Sequence, residues 1–321
     1  LASQDPPYAL RYADLLSARA WLATARNVLG VVGYGTPRPD FLSASTPFIA
    51  APLAPATGAP MLEIWRSGSP VTPYQAGPVI GACSDDVVFG AITVNDSAPL
   101  EDSVEAAYDK IFDFLGATGF TAPLRFWNYL TGITEDDKGL ERYMRFNTGR
   151  QRAFLRRLRQ PVPPAASAVG GHHGPSMIYG LAARDPARPI ENPRQVSAYH
   201  YPPVYGPSSP SFSRAGLAAR GDLFISGTAS ITGHETRHAG DFVAQLAETA
   251  ANLRAVISAA GPDTGGVWAT KIYLKNAASQ AMTDPVIDAI FGRASPRLYL
   301  HADICRRDLL VEIEVFRHAS P

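Results

Sequence analysis

PRLYLHADIC (residues 296–305) and LLVEIEVF (residues 309–316) carry the apolar spacing of β-strands and are separated by the polar turn Arg306-Arg307-Asp308. Read together they predict a hairpin. In the second run the strand period of two places Glu312 and Glu314 on one face, about 7 Å apart, and Val311, Ile313 and Val315 on the other. Upstream come LFISGTAS (residues 223–230), a helix over 241–260, ATKIYLKNA (residues 269–277) and a short second helix. The longer helix is read from Phe242, Leu246, Ala250, Leu253, Ile257 and Ala260, spaced three or four apart and stopped at Gly261.

The same order occurs earlier in the chain. VVFGAITV (87–94), a helix over 101–116, LRFWNYLTGI (124–133), the helical ERYMRFNTGRQRAFLRRL (141–158), PAASAVGG (164–171) and SMIYGLAAR (176–184) repeat it element by element. Such a repeat predicts an α+β fold built twice, each copy a sheet with two helices packed on it. The expected domains are 1–185, including an N-terminal extension, and 195–321, joined by the Pro-rich stretch 185–193. The copies differ in charge. Where the second has Arg297 and Glu312, the first has Ala166 and apolar residues around Ile178, so the second half is expected to carry the chemistry.

Composition narrows the function. Lys+Arg and Asp+Glu balance at 29 each, which removes the basic footprint of a nucleic-acid or anionic-membrane binder. No apolar run approaches the roughly 20 residues of a membrane span, and the opening LASQDPPYALRYADLL lacks the basic and apolar regions of a signal peptide. A cytoplasmic protein is expected. The two cysteines, Cys83 and Cys305, lie far apart and form no CxxC, so reduced thiols are expected rather than a disulfide scaffold or a Cys-rich zinc site.

His234-Glu235-Thr236-Arg237-His238 is a literal HExxH, the pentad in which two histidines one helical turn apart bind zinc. Its surroundings oppose that reading: Gly233 precedes it, and Asp241 looks like the N-cap of the next helix. No metal is expected there. Gly33-Tyr34-Gly35 fails as a dinucleotide fingerprint, because Arg38 stands where the third glycine belongs. GxSxG and P-loop patterns are absent. The expected hairpin instead brings Arg297, Cys305 and Glu312 within reach of one pocket, where a guanidinium binds a carboxylate and a carboxyl in partly apolar surroundings serves as a general acid. Two further sources of ligand groups are Tyr199, Tyr205 and neighbours in the Tyr/Pro/Ser-rich segment 195–214, and Arg145 and Arg150 of RFNTGR. The alternatives are an aromatic plug at the domain interface and exposed helix arginines.

SPSFSRAGLAARGDLFISGTAS, VAQLAETAANLRAVISAAG, ATKIYLKN, SPRLYLHADI and LLVEIEVF together resemble the YjgF-like (Rid) fold over about residues 209–317. In that family the Arg matching Arg297 binds a substrate carboxylate and the Glu matching Glu312 lies in the same pocket. RFNTGRQRAF, PRQVSAYHYPPVYGPSSPSFSRA, FISGTASITGHETRHAGD and HADICRRDLLVEIEVF resemble the chorismatases over about residues 85–318. Those enzymes join a degenerate Rid-like (chorismate-mutase-like) N-terminal domain to a Rid-like C-terminal one.

The resemblance implies removal of the enolpyruvyl group of chorismate as pyruvate in secondary metabolism, without cofactor or metal. It implies Glu312 as general acid, Arg297 and Arg150 as carboxylate ligands, and Tyr199 and Tyr205 as hydrogen-bond donors. Cys305 resembles the branch that forms 3-hydroxybenzoate. Ala229 resembles the branch that uses water and leaves a dihydroxycyclohexadiene carboxylate. 3-Hydroxybenzoate is the expected product. The rivals are a Rid-like enamine or imine deaminase, a metalloprotease at the HETRH pentad, and a binding module without turnover. A monomer is expected, because pairing of the two halves replaces subunit contacts, with a trimer as the alternative.

Overall fold

The computed structural model describes residues 8–95, 98–160, 162–261 and 265–319. Within residues 8–67, β1 (Tyr8–Asp14), β2 (Val28–Tyr34), β3 (Phe48–Ala51) and β4 (Met61–Ser67) form a separate sheet with α1 (Leu15–Leu22) against it, while Ala54–Pro55 pairs with Leu300–His301. Its strand order is β1-β4-β2-β3. The first copy of the repeat follows: β5 (Thr72–Ala76), β6 (Val79–Cys83), β7 (Val88–Thr93), α2 (Leu100–Thr118), β8 (Ala122–Thr131), α3 (Arg142–Arg157), β9 (Ala165–Gly171) and β10 (Met177–Ala183). The second copy contains β11 (Arg188–Ile190), β12 (Ala215–Leu217), β13 (Leu223–Ala229), α4 (Phe242–Ala260), β14 (Gly266–Leu274), α5 (Gln280–Phe291), β15 (Arg297–His301) and β16 (Val311–Ala319).

The repeat read from the sequence is present in the topology. The first sheet runs β9-β8-β10-β7-β6-β5, and the second runs β15-β14-β16-β13-β12-β11 in the same order, with the short strand Ala54–Pro55 added antiparallel beyond β15. Each has one parallel pair at the same place, β9 with β8 and β15 with β14. The stretch expected to be a linker therefore contributes β11 to the second sheet, paired with β12.

Alternation along the strands separates two kinds of core. Val311, Ile313 and Val315 of β16 pack under α4 and α5, with Leu246, Leu253 and Ile287. Phe316 of β16, Tyr179 of β10 and Trp65 of β4 meet in a common core shared by all three sheets. α2 is amphipathic as read, burying Val104, Tyr108, Ile111, Phe112 and Leu115, and Gly119 ends it at φ 76°, a left-handed conformation that favours glycine. Asp241 caps α4 by accepting the Ala244 N–H at 3.0 Å.

The expected hairpin does not form. β15 and β16 are not neighbours, because β14 lies between them, parallel to β15 and antiparallel to β16. An extended sequence pair joined by a short turn fits either arrangement; a parallel partner for β15 is what α5 provides by crossing over the sheet.

Candidate active site

A cavity of about 290 Å³ opens where the two copies meet, close to the volume of a small-molecule site. α3 contributes Tyr143, Met144 and Arg150; β9 contributes Ala166, Ser167 and Ala168; the segment between the copies contributes Tyr201, Tyr205, Phe212 and Arg214. The second sheet closes it with Gly227, Ala229 and Glu312, and the turn before β16 adds Cys305, Arg306 and Arg307. Edge strand β9 is part of the wall because it runs into the second half, where the Gly170 N–H donates to Asp303 O at 2.7 Å.

Glu312 is 4% exposed. Ala229 lies opposite it on β13, and its carboxyl occupies the space over Gly227, where a Cβ would sit 1.9 Å from Glu312 Oε1. Burial first, and then the negative charge of Glu314, push its carboxyl up to about 8, against the pull of Arg125 and Arg214. It therefore keeps its proton at neutral pH. Cys305 is a free thiol, pushed up to about 12 by burial and by Glu312, so it lines the cavity as a neutral group.

Two guanidiniums line the same cavity. Arg150, 1% exposed, stacks over Phe146 and donates from Nη2 to Asn147 Oδ1 at 3.0 Å, while its Nε and Nη1 have no hydrogen-bond partner. Arg214, 5% exposed, donates from Nη2 to Val196 O and to the Tyr201 hydroxyl, both at 2.9 Å, and its Nε is unpaired. Buried N–H donors left open beside a cavity suit an anionic ligand. Arg306 lies over the Tyr205 ring, 4.2 Å from its centroid, at the same wall.

The structure brings together Glu312, Cys305, Arg150, Tyr205 and Ala229, and leaves out two residues expected there. Arg297 is on the opposite face of the second sheet from Glu312, in the row of Tyr299 and the α5 core, where it pairs with Asp284 at 2.9 Å and Asp288 at 2.8 Å. Displacing it from the pocket follows from the missing hairpin. Tyr199 lies outside the cavity against His200, and Tyr201, two residues on, takes the place assigned to it. Arg145 is committed to Glu101 at 2.7 Å.

Arg214, Tyr143, Tyr201 and Ser167 were not singled out by the sequence reading. Arg214 and Tyr201 lie within the segment that reading marked, but nothing in their spacing separates them from its other polar residues. The HETRH pentad is not helical: Glu235–Thr236 pairs with Ile231–Thr232 in a tight turn, and the Tyr205 hydroxyl lies 3.2 Å from His234 Nδ1. No group of three or more His, Cys, Asp and Glu side chains among the described residues is arranged to hold a metal. No helix among them is long and apolar enough to cross a membrane.

Two copies of a YjgF-like α+β unit around a buried carboxyl and two buried guanidiniums define a small-molecule enzyme site on a duplicated Rid-like scaffold. Comparison with known proteins agrees: residues 63–182 match the family model described as chorismatase FkbO/Hyg5-like, N-terminal, and residues 207–318 match that of endoribonuclease L-PSP. A 3-hydroxybenzoate synthase of Streptomyces hygroscopicus is 33% identical over 92% of this chain and 93% of its own length. A chorismatase of the same organism is 35% identical over 90% of this chain and 88% of its own. A crystal structure of a chorismatase superposes with a TM-score of 0.88 at 31% identity, covering 97% of this chain and 98% of that one. The chain belongs to the chorismatase family of enzymes.

Proposed function

We propose that this enzyme cleaves the enolpyruvyl ether of chorismate, releasing pyruvate and 3-hydroxybenzoate. One observation carries the reading: a buried carboxyl, pushed up to about 8, shares a cavity with two buried guanidiniums that keep N–H groups without a partner. Chorismate has two carboxylates and one acid-labile enol ether, which is the complement of that set.

Glu312 gives its proton to the enolpyruvyl methylene carbon. The ring carbon–oxygen bond then breaks with its electron pair going to the departing pyruvate, and the neighbouring ring hydroxyl attacks that carbon. The hydroxyl proton returns to the Glu312 carboxylate, and the ring oxide opens to the aromatic product. Atoms balance without water. Arg150 and Arg214 hold the carboxylates, Tyr205 and Tyr201 orient the ring oxygens, and Cys305 keeps water from the ring. The chemistry needs no metal or cofactor, and we assign it to a cytoplasmic monomer in secondary metabolism.

A second reading is favoured by Ala229, which lies opposite Glu312 in the sheet. There a water adds to the protonated side chain, one water is consumed, and a dihydroxycyclohexadiene carboxylate is left. Incubating metal-stripped enzyme with chorismate, with pyruvate followed by a coupled assay and ring products by chromatography, tests both. Pyruvate with 3-hydroxybenzoate is expected; pyruvate with the diene diol reverses the branch. Absence of pyruvate, with ammonia released from 2-aminoacrylate, replaces the reading with Rid-like deamination. Because Glu312 must be protonated, activity should hold at neutral pH and fall as pH rises through about 8.

A further inference from the structure

The two glutamates of β16 face the same way into the interior but have different surroundings. Glu314 accepts from Trp127 Nε1 and Ser167 Oγ at 2.6 Å, from Arg125 Nη2 at 2.9 Å, and from the Tyr273 hydroxyl at 3.0 Å. Lys271 Nζ lies 3.0 Å from its other oxygen. The same ammonium is 2.7 Å from Glu63 Oε2, which belongs to the small N-terminal sheet and accepts from Tyr34 at 2.7 Å, while Glu63 Oε1 accepts from Trp65 at 2.8 Å. All four charged groups are buried. Their charges cancel, Lys271 and Arg125 against Glu63 and Glu314.

No cation remains in that set for a third carboxylate. Glu312, one strand repeat away, has no hydrogen bond to its carboxyl among the described residues. Around it are Glu314 on its own strand, Tyr273 opposite on β14, Arg125 from β8 and Tyr143 and Arg150 from α3. Arg214 and Cys305 complete the surroundings. Ser167 joins the two environments: its hydroxyl donates to Glu314 and accepts the Gly227 N–H at 2.9 Å, directly under the Glu312 carboxyl.

We infer that Glu314 is a positioning residue for the proposed reaction: fixed as an anion by Lys271, Arg125 and three hydrogen-bond donors, it adds to burial in keeping the proton on Glu312. The directions of titration agree with this geometry. Although burial raises Glu314, Lys271 and Arg125 overcome it and bring it to about 2, so the neighbouring pair divides into one anion and one acid. Glu63 belongs to the same device, because without it Lys271 and Arg125 would outnumber the one remaining carboxylate. This is a chemical task for the sheet of residues 8–67, which otherwise lies outside the repeat.

The inference rests on the reaction proposed above, and its test separates the two. In Glu314→Gln, Glu312 loses the repelling anion while Arg125 and Lys271 remain, so it ionises at lower pH. The alkaline limb of kcat/KM should move down by about one pH unit or more, an approximately tenfold loss above that limb, with activity largely recovered at lower pH. A loss of equal size at every pH would assign Glu314 a purely structural role and overturn the inference. Should that variant not fold, the infrared difference between wild type and Glu312→Gln at neutral pH gives the answer on the native fold. A protonated-carboxyl band belonging to Glu312 beside an ionised Glu314 supports the inference, and an ionised Glu312 or a protonated Glu314 in an enzyme that releases pyruvate overturns it alone. A protonated Glu312 in an enzyme that releases none overturns the proposed reaction alone.

Discussion

The central strand of the first copy, β10, turns Met177, Tyr179 and Leu181 toward the common core, whereas its counterpart β16 turns Glu312, Glu314 and Phe316 toward it. The strand order around them is the same in both sheets. Duplication thus supplied two equivalent positions facing one interior, and only one was given charge. The apolar copy is not idle: its β8 sends Arg125 and Trp127 to Glu314, and its α3 sends Arg150 and Tyr143 to the cavity. One half provides Glu312, and the other provides much of what surrounds it.

That division can be broken most severely at Glu312. Glu312→Gln keeps the shape and removes the transferable proton, so kcat should fall by about 10²- to 10⁴-fold while chorismate still binds, as measured by calorimetry. Arg214→Ala and Arg150→Ala remove a ligand guanidinium from opposite sides of the cavity. Each should lower kcat/KM by about 10- to 100-fold, mainly through KM, with partial recovery in the lysine variants; unchanged KM in both would detach the carboxylates from these residues. Gly227→Ala puts a methyl where the Glu312 carboxyl sits, and the flexible side chain must swing away. A drop of about tenfold or more in kcat, with a melting temperature near wild type, is expected. Cys305→Ala should alter the ratio of ring products more than the rate of pyruvate release, and an unchanged ratio would free Cys305 of any role in the branch. The smallest effect belongs to Arg297→Ala, which lies behind the sheet: kcat/KM should stay within about twofold, with stability lowered by about 1 kcal/mol or less from the lost ion pairs.

Arg297 also marks where sequence stops being sufficient. The helices over 242–260 and 100–118, the repeat and the shared face of Glu312 and Glu314 were legible because each depends on local period and capping. The pairing of β15 was not, since a short turn before the next strand is equally compatible with a hairpin and with a strand inserted between the two. A hairpin would carry Arg297 into the pocket; the inserted β14 puts it behind the sheet. Tyr199, expected in the pocket beside Tyr205, lies in an irregular segment where no period of two or of 3.6 tells it from Tyr201, which lines the cavity instead. The network around Lys271 was invisible for another reason. Its members come from β2, β4, β8, β9, β10, β14 and β16, and nothing in ATKIYLKN marks its lysine as buried until Glu63 from a different sheet is set beside it.

The bond between Lys271 and Glu63 also bears on how the molecule can be divided. A repeat with matching sheets suggests two interchangeable modules, each able to be cut out and reused. The ammonium of the second half, 1% exposed, is neutralised in part by a strand that precedes both copies. Excising residues 8–67, or recombining the second half with another first half, would leave that buried charge half-answered, so the two copies and the strand before them stand or fall as one unit.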